Sequence, residues 1–153
     1  MASVALERSC RSALPILLLC TLALLPVLTA DRGMLVGGWR DRSVSDTDVQ
    51  VAVAFAVEAY NRRSNSVFYC RALDVQKARS QMVEGVNYFL KVLLVNTVCD
   101  KRIRAGLTHA DLERCAVPAN AQQQKRMCKF YVWSRPWLND TRLTNMSCGD
   151  AHS

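Results

Sequence analysis

Gln81-Met82-Val83-Glu84-Gly85-Val86-Asn87-Tyr88-Phe89-Leu90 is the stretch that decides the fold. Before it, Phe68 to Arg79 reads as strand, with Leu73 and Val75 alternating against Ala72, Asp74 and Gln76. After it, Val86, Tyr88, Leu90, Val92 and Leu94 recur at period two, which puts them on one face of a second strand ending near Thr97. Residues 81–85 remain for a hairpin loop, with Gly85 at a left-handed position. Structural turns favour Asn, Asp, Gly and Ser, yet this one carries Met82 and Val83. Apolar tips on a rigid hairpin point to a surface that enters another molecule. The competing reading places Met82 and Val83 within the strands and the turn elsewhere.

Upstream, Val49, Val53, Ala56 and Tyr60 recur at helical spacing, with Ala52 and Val57 widening the stripe. The spacing predicts one amphipathic helix over 48–62. Ser45-x-x-Asp48 has the form of a capping box, and Ser64-Asn65-Ser66 ends the helix after Arg62 and Arg63. Downstream, residues 99–128 read as a weakly structured excursion. Its Lys101-Arg102-x-Arg104 run has the charge to grip sulfate, although a solvated loop is the simpler reading. Met127 to Arg135 alternates again, Pro136-Trp137 stops it, and Thr141 to Cys148 supplies a last short strand. One long helix against a four- to five-stranded antiparallel sheet is an α+β fold.

The 153 residues carry a formal charge of +7 and seven cysteines. Arg8 and Arg11 precede an apolar run from Ala13 to Ala30 that contains Pro15 and Pro26. That is the pattern of a signal peptide over 1–30, removed after Ala30, rather than a membrane anchor. Residues 31–153 then form a single domain. Removing Glu7, Arg8 and Arg11 leaves 18 basic and 12 acidic residues, a moderate positive charge spread without a nucleic-acid-reading pattern. The mature arm, 31–43, shows Met34-Leu35-Val36 followed by Gly37-Gly38, an apolar triplet with a hinge. Five cysteines remain: Cys70, Cys99, Cys115, Cys128 and Cys148. In a secreted chain four of them pair and one is left over. The last four have spacings suited to local bridges Cys99–Cys115 and Cys128–Cys148, each worth on the order of 3 kcal/mol, although spacing does not fix the connectivity.

Catalytic chemistry is missing. His109 sits in the excursion and His152 at the tail, neither on an element that would orient it against a nucleophile. There is no phosphate-binding glycine loop and no His/Cys metal spacing, so neither cofactor nor metal is expected.

Leu35-Val36-Gly37-Gly38, Gln81 to Gly85 and Pro136-Trp137 occur in that order, together with Phe55-Ala56-Val57-x-x-Tyr60-Asn61 and Trp133-x-x-Pro136-Trp137-Leu138. In this combination the chain resembles the type 2 cystatins, secreted inhibitors of papain-like cysteine peptidases. Ser64-Asn65-Ser66 and Ala121 to Lys125 resemble the cystatin E/M branch, and Val132 to Trp137 resembles reptile venom-type cystatins. The resemblance implies a cystatin-like fold, with the helix lying across a curved sheet, and the two bridges Cys99–Cys115 and Cys128–Cys148. It also implies a wedge for peptidases of the cathepsin B, L, H and S class. Leu35, Val36 and Gly37 would occupy the non-primed side, Gln81, Met82, Val83, Glu84 and Gly85 the cleft, and Pro136 and Trp137 the primed side. Asn65 matches the residue that family members inhibiting legumain use for it, with turn chemistry as the plainer role. The family's loop is usually Gln-Val-Val-Ala-Gly, so Met82 and Glu84 depart from it. Glu84 at the tip is expected to weaken inhibition or make it more selective. Trp39 is bulky enough to anchor the arm to the sheet. Cys70 reads as a buried small hydrophobe in a monomer, with a disulfide dimer as the alternative. Asn139 and Asn145 head glycosylation sequons. The alternative function is a non-inhibitory protein of this fold that acts through its basic surface on polysaccharide, membrane or microbe. No nucleic-acid partner is expected, and no membrane association once the signal is removed.

Overall fold

The computed structural model describes residues 37–119 and 123–151. The expected signal peptide over 1–30 and the expected arm residues Leu35 and Val36 lie outside them.

Five strands form one antiparallel sheet in sequence order: β1 (Arg40–Arg42), β2 (Phe68–Val83), β3 (Gly85–Asp100), β4 (Lys125–Arg135) and β5 (Asp140–Asp150). Helix α1 (Thr47–Arg63) lies between β1 and β2 in the chain, and a short helix α2 (His109–Glu113) interrupts the connection from β3 to β4. β2 is irregular, with register shifts at Phe68/Cys70, Ala72/Asp74 and Val75/Lys77. Such shifts bend a strand and raise its twist, so the sheet curves under the helix.

The predicted helical stripe is the buried one. Val49, Ala52, Val53, Ala56, Val57, Ala59 and Tyr60 all face the core. They meet Tyr88, Leu90, Val92 and Leu94 of β3 and Cys128, Phe130 and Val132 of β4. Each fully buried Leu, Val or Phe contributes roughly 1.5–3 kcal/mol. Past Leu94 the buried parity changes to Val95, Thr97 and Cys99, and β3 continues to Asp100 rather than stopping near Thr97.

The predicted capping box at Ser45 does not form. Asp46 is the N-cap, and no side chain bonds the first turn there. Ser45 Oγ pairs with Ser43 Oγ at 2.8 Å, and Asp48 is held elsewhere. Its Oδ2 accepts from Tyr88 Oη at 2.9 Å and its Oδ1 from Arg42 Nη2 at 2.8 Å. The carboxylate that looked local is a tertiary tie between α1, β1 and β3. Burial opposes its ionisation, but the Tyr88 and Arg42 contacts outweigh it and hold Asp48 below the usual carboxylate range. Tyr88 moves the other way, pushed up to about 12 by burial and by its bond to Asp48.

The described part of the excursion is better ordered than its composition predicts. Thr108 and Asp111 make a reciprocal capping box at the start of α2, and Leu112 is fully buried. The disulfides are Cys99–Cys115 and Cys128–Cys148, and Cys70 is a buried free thiol. Asn61 locks the end of α1 to β2: its Nδ2 donates to Cys70 O at 2.7 Å and its Oδ1 accepts from Cys70 N at 2.8 Å.

Candidate functional site

The β2–β3 hairpin is tighter than a five-residue loop. Pairing runs through Gln81↔Asn87, Met82↔Val86 and Val83↔Gly85, so Glu84 alone turns the chain. Met82 and Val83 belong to β2 and are still exposed, by 60% and 45%, because the strand projects beyond the core. Both sequence readings thus hold in part. Gly85 is required twice over. Its φ is +118°, and a Cβ there would come within 2.8 Å of Ser134 O and 3.0 Å of Trp133 Nε1. The absent side chain lets the first hairpin lie directly against the end of β4.

That end of β4 leads into the second hairpin. Pro136–Leu138 form a single 3₁₀ turn, closed by Asn139 in the left-handed region (φ 55°). Trp137 is 66% exposed and Leu138 58%. Leu138 was absent from the residues selected from sequence, although an apolar residue beside Trp137 at a strand break was a readable signal. A polar frame holds the turn open. Arg135 Nη2 donates to Asp140 Oδ2 at 2.8 Å, and Arg142 Nε to Asp140 Oδ1 at 2.8 Å. Both guanidiniums cover Trp133, at 4.5 and 5.7 Å from its ring centre. The arginines hold the Asp140 carboxyl below its ordinary range, the Arg135 bond most strongly. No sequence motif marked this frame.

The arm joins the same end. Gln81 Nε2 donates to Gly37 O, which ties the hinge to β2 just ahead of the tip. Gly37 has φ +95°, with open space where a Cβ would be, so the glycine serves the turn rather than a close contact. Trp39 crosses the outer face of the sheet, edge-on to Tyr131 at 6.4 Å and under Arg79 at 5.9 Å. The expected anchor for the arm is therefore present. Gly37, the hairpin with Gln81 to Gly85, and Pro136 and Trp137 gather at one end of the sheet. Glu84 is exposed there, with no ion-pair partner among the described residues.

Asn65 lies at the other end. It is exposed in the short loop between α1 and β2. A 16-residue strand spans roughly 50 Å, so the two ends are well separated. Lys101 braces the Asn65 loop, donating from Nζ to Asn61 O at 2.7 Å and to Ser64 O at 2.9 Å. Ser64 Oγ accepts from Ser66 N at 3.2 Å. Burial pulls the Lys101 ammonium below its ordinary value.

Among the described residues no cluster of three or more His, Cys, Asp or Glu gathers to hold a metal. No helix among them is long and apolar enough to cross a membrane.

An exposed apolar edge on a braced sheet suits the binding of another protein. The comparisons agree. The Cystatin domain model matches residues 37–137. The cystatin of Naja kaouthia is 48% identical over 136 residues, covering 89% of this chain and 94% of that protein. The cystatin of Hoplocephalus stephensii is 44% identical over the same coverage. The crystal structure of dimeric human cystatin F has a TM-score of 0.68 at 27% identity, over 76% of this chain and 89% of that one. The chain belongs to the cystatin family, and its cystine bridges and sheet are those expected of the type 2 members. Cystatins inhibit cysteine proteases and are not enzymes.

Proposed function

We propose that the protein is a secreted, reversible, tight-binding inhibitor of papain-like cysteine peptidases. The arm residues Leu35, Val36 and Gly37, the Gln81–Gly85 hairpin and Pro136–Trp137 together fill the peptidase cleft. One observation carries the reading: the Gly85 backbone packs against Ser134 O so closely that both apolar tips stand side by side. A wedge of this kind covers the catalytic cysteine and offers no scissile bond in attack geometry. A first tip paired to its last residue and a second closed in a single 3₁₀ turn lose little freedom on binding, which lowers the cost of association.

Glu84 tunes the site. Its carboxylate stands at the apex, where an apolar cleft would desolvate it. Glu84→Ala is expected to tighten inhibition of papain and to narrow the differences among cathepsins. Unchanged constants would remove Glu84 from the account. Asn65 forms a second, independent site for legumain. Asn65→Lys then abolishes legumain inhibition and spares papain, whereas a parent protein inactive on legumain refutes it. The signal over 1–30 delivers the chain outside the cell. It acts there as a monomer, because Cys70 is only 7% exposed and burial raises its thiol pKa. A disulfide dimer on non-reducing electrophoresis would overturn that. Sequon occupancy at Asn139, two residues from Trp137, crowds the primed side, and Asn145 lies on β5 away from it.

The deciding experiment titrates the mature, oxidised protein against papain and cathepsins B and L, with legumain in parallel. Stoichiometric, reversible inhibition of papain supports the wedge. A folded sample inert toward all of them overturns it and leaves the basic-surface function.

A further inference from the structure

The outer face of the sheet, away from α1, carries a feature that peptidase inhibition does not use. Lys77 of β2 is directly opposite Lys91 of β3, and Lys91 is directly opposite Lys129 of β4. Neighbouring strands lie about 5 Å apart, so the three Cα atoms form a row about 10 Å long across the strands, each carrying its ammonium on a flexible stem. Lys77 and Lys129 are exposed and Lys91 is partly so. Like charges directly opposite one another destabilise a sheet. Among the described residues the row makes one ion pair, Lys77 with Asp41 at 3.9 Å, and Asp41 is also bound to Arg79 at 3.3 Å; Asp74 stands opposite Leu93 in the next row. Lys91 and Lys129 make no ion pair there.

The adjacent row sharpens the picture. Arg79, Phe89 and Tyr131 stand opposite one another on the same face, and the register ends at Asn145. Trp39 folds onto this row. The rings meet edge-on or tilted, at 76° and 55°, and Arg79 covers the indole. They pack on one another rather than offering open parallel faces, so this is a stiff backing and not a base-stacking platform. What remains accessible is a row of point charges on flexible stems above that stiff backing. A flexible linear polyanion with regularly spaced sulfate or carboxylate groups complements it.

We propose that Lys77, Lys91 and Lys129 form a binding strip for an acidic, sulfated polysaccharide. The bound chain lies across the strands, and its anionic groups relieve the repulsion along the row. Lys91 is six residues along β3 from Gly85, about 20 Å from the hairpin tip. The strip therefore stays open while the wedge is occupied, and the proposal does not depend on the inhibitory reading. It also differs in place from Lys101-Arg102-x-Arg104, where Lys101 is spent on backbone carbonyls and Arg102 on Asp100 at 2.6 Å.

The test uses the mature, oxidised protein and heparin as probe, with binding measured at low and moderate salt. Lys77→Gln/Lys91→Gln/Lys129→Gln is compared with a charge-matched control, Arg63→Gln/Arg104→Gln/Arg114→Gln. The row variant is expected to lose affinity by on the order of tenfold or more, with a shallower salt dependence. It is also expected to melt no lower than the parent, since repulsion is removed. The control should keep most of its affinity. Equal losses in both variants would mean that net charge alone drives binding, and the strip would be rejected. A parent protein that ignores heparin but holds single-stranded DNA or anionic vesicles through the same lysines overturns the assignment to polysaccharide.

Discussion

The two ends of the sheet present themselves to a partner by different means. At the Glu84 end the backbone does the bracing: ladder pairing continues to Val83↔Gly85, and Gly85 seats one hairpin against the other. At the Asn65 end side chains do it, with Lys101 reaching two carbonyls and Asn61 clasping Cys70. The first arrangement suits a large apolar contact, since the tips are held by the ladder and Glu84 is the one charged group at the hairpin's apex. The second suits a small polar contact from one exposed side chain. Stiffness from the ladder is lost by a backbone change, and stiffness from a cap is lost by a single truncation.

Gly85→Ala should separate the ends most sharply. The new Cβ meets Ser134 O in a backbone conformation that disfavours alanine, at a cost of about 1–3 kcal/mol. Inhibition of papain should weaken on the order of 100-fold, with legumain inhibition unaltered. Equal loss at both would show that the ends are coupled through the fold. Next comes Trp137→Ala. An exposed aromatic at the centre of a contact is worth about 2 kcal/mol on truncation, so papain inhibition should fall about 30-fold with no change in melting temperature. Lys101→Met should act only at the far end. Losing two bonds from an ammonium costs about 1–2 kcal/mol of stability and about tenfold in legumain inhibition, with the papain constant unmoved.

The smallest effect is a test of what lies between the ends. Tyr88 holds its proton to about 12, above its ordinary value near 10. In that window the unfolded chain has released a proton that the native chain keeps, so stability falls as pH rises from about 10 to 12. Tyr88→Phe should flatten this part of a melting-temperature profile. Asp48 contributes in the opposite sense: its carboxyl is depressed in the fold, and its share is lost as pH falls through that lowered value.

The strand pattern and the helical stripe were legible because period two and period 3.6 are local properties of the chain. Val49, Val53, Ala56 and Tyr60 needed no partner to be read as a buried face. Ser45-x-x-Asp48 misled for the converse reason. Its aspartate is engaged by Tyr88, 40 residues away, and distant contacts override a local cap. Thr108-x-x-Asp111 has the same form and does cap α2, so the pattern alone does not discriminate. At the candidate site the exposed apolar tips were readable as misplaced residues. The Gln81–Gly37 tie and the Arg135–Asp140–Arg142 frame were not, since each depends on which strands become neighbours. The lysine row was hidden more deeply. The shift between Val75 and Lys77 changes which residues share a face, so only the completed register aligns Lys77 with Lys91.

Cys128 and Cys148 are direct partners across β4 and β5. β5 is an edge strand, with no third strand to correct its alignment. A slip of one residue would turn Cys148 to the opposite face and part the two sulfurs. Oxidation therefore acts as a checkpoint. Only a chain whose last hairpin has settled in step can close this bridge, and closing it seals the position of Trp137 at the turn. The bond is thus a record, written into the folded molecule, that the turn bearing Trp137 was assembled correctly.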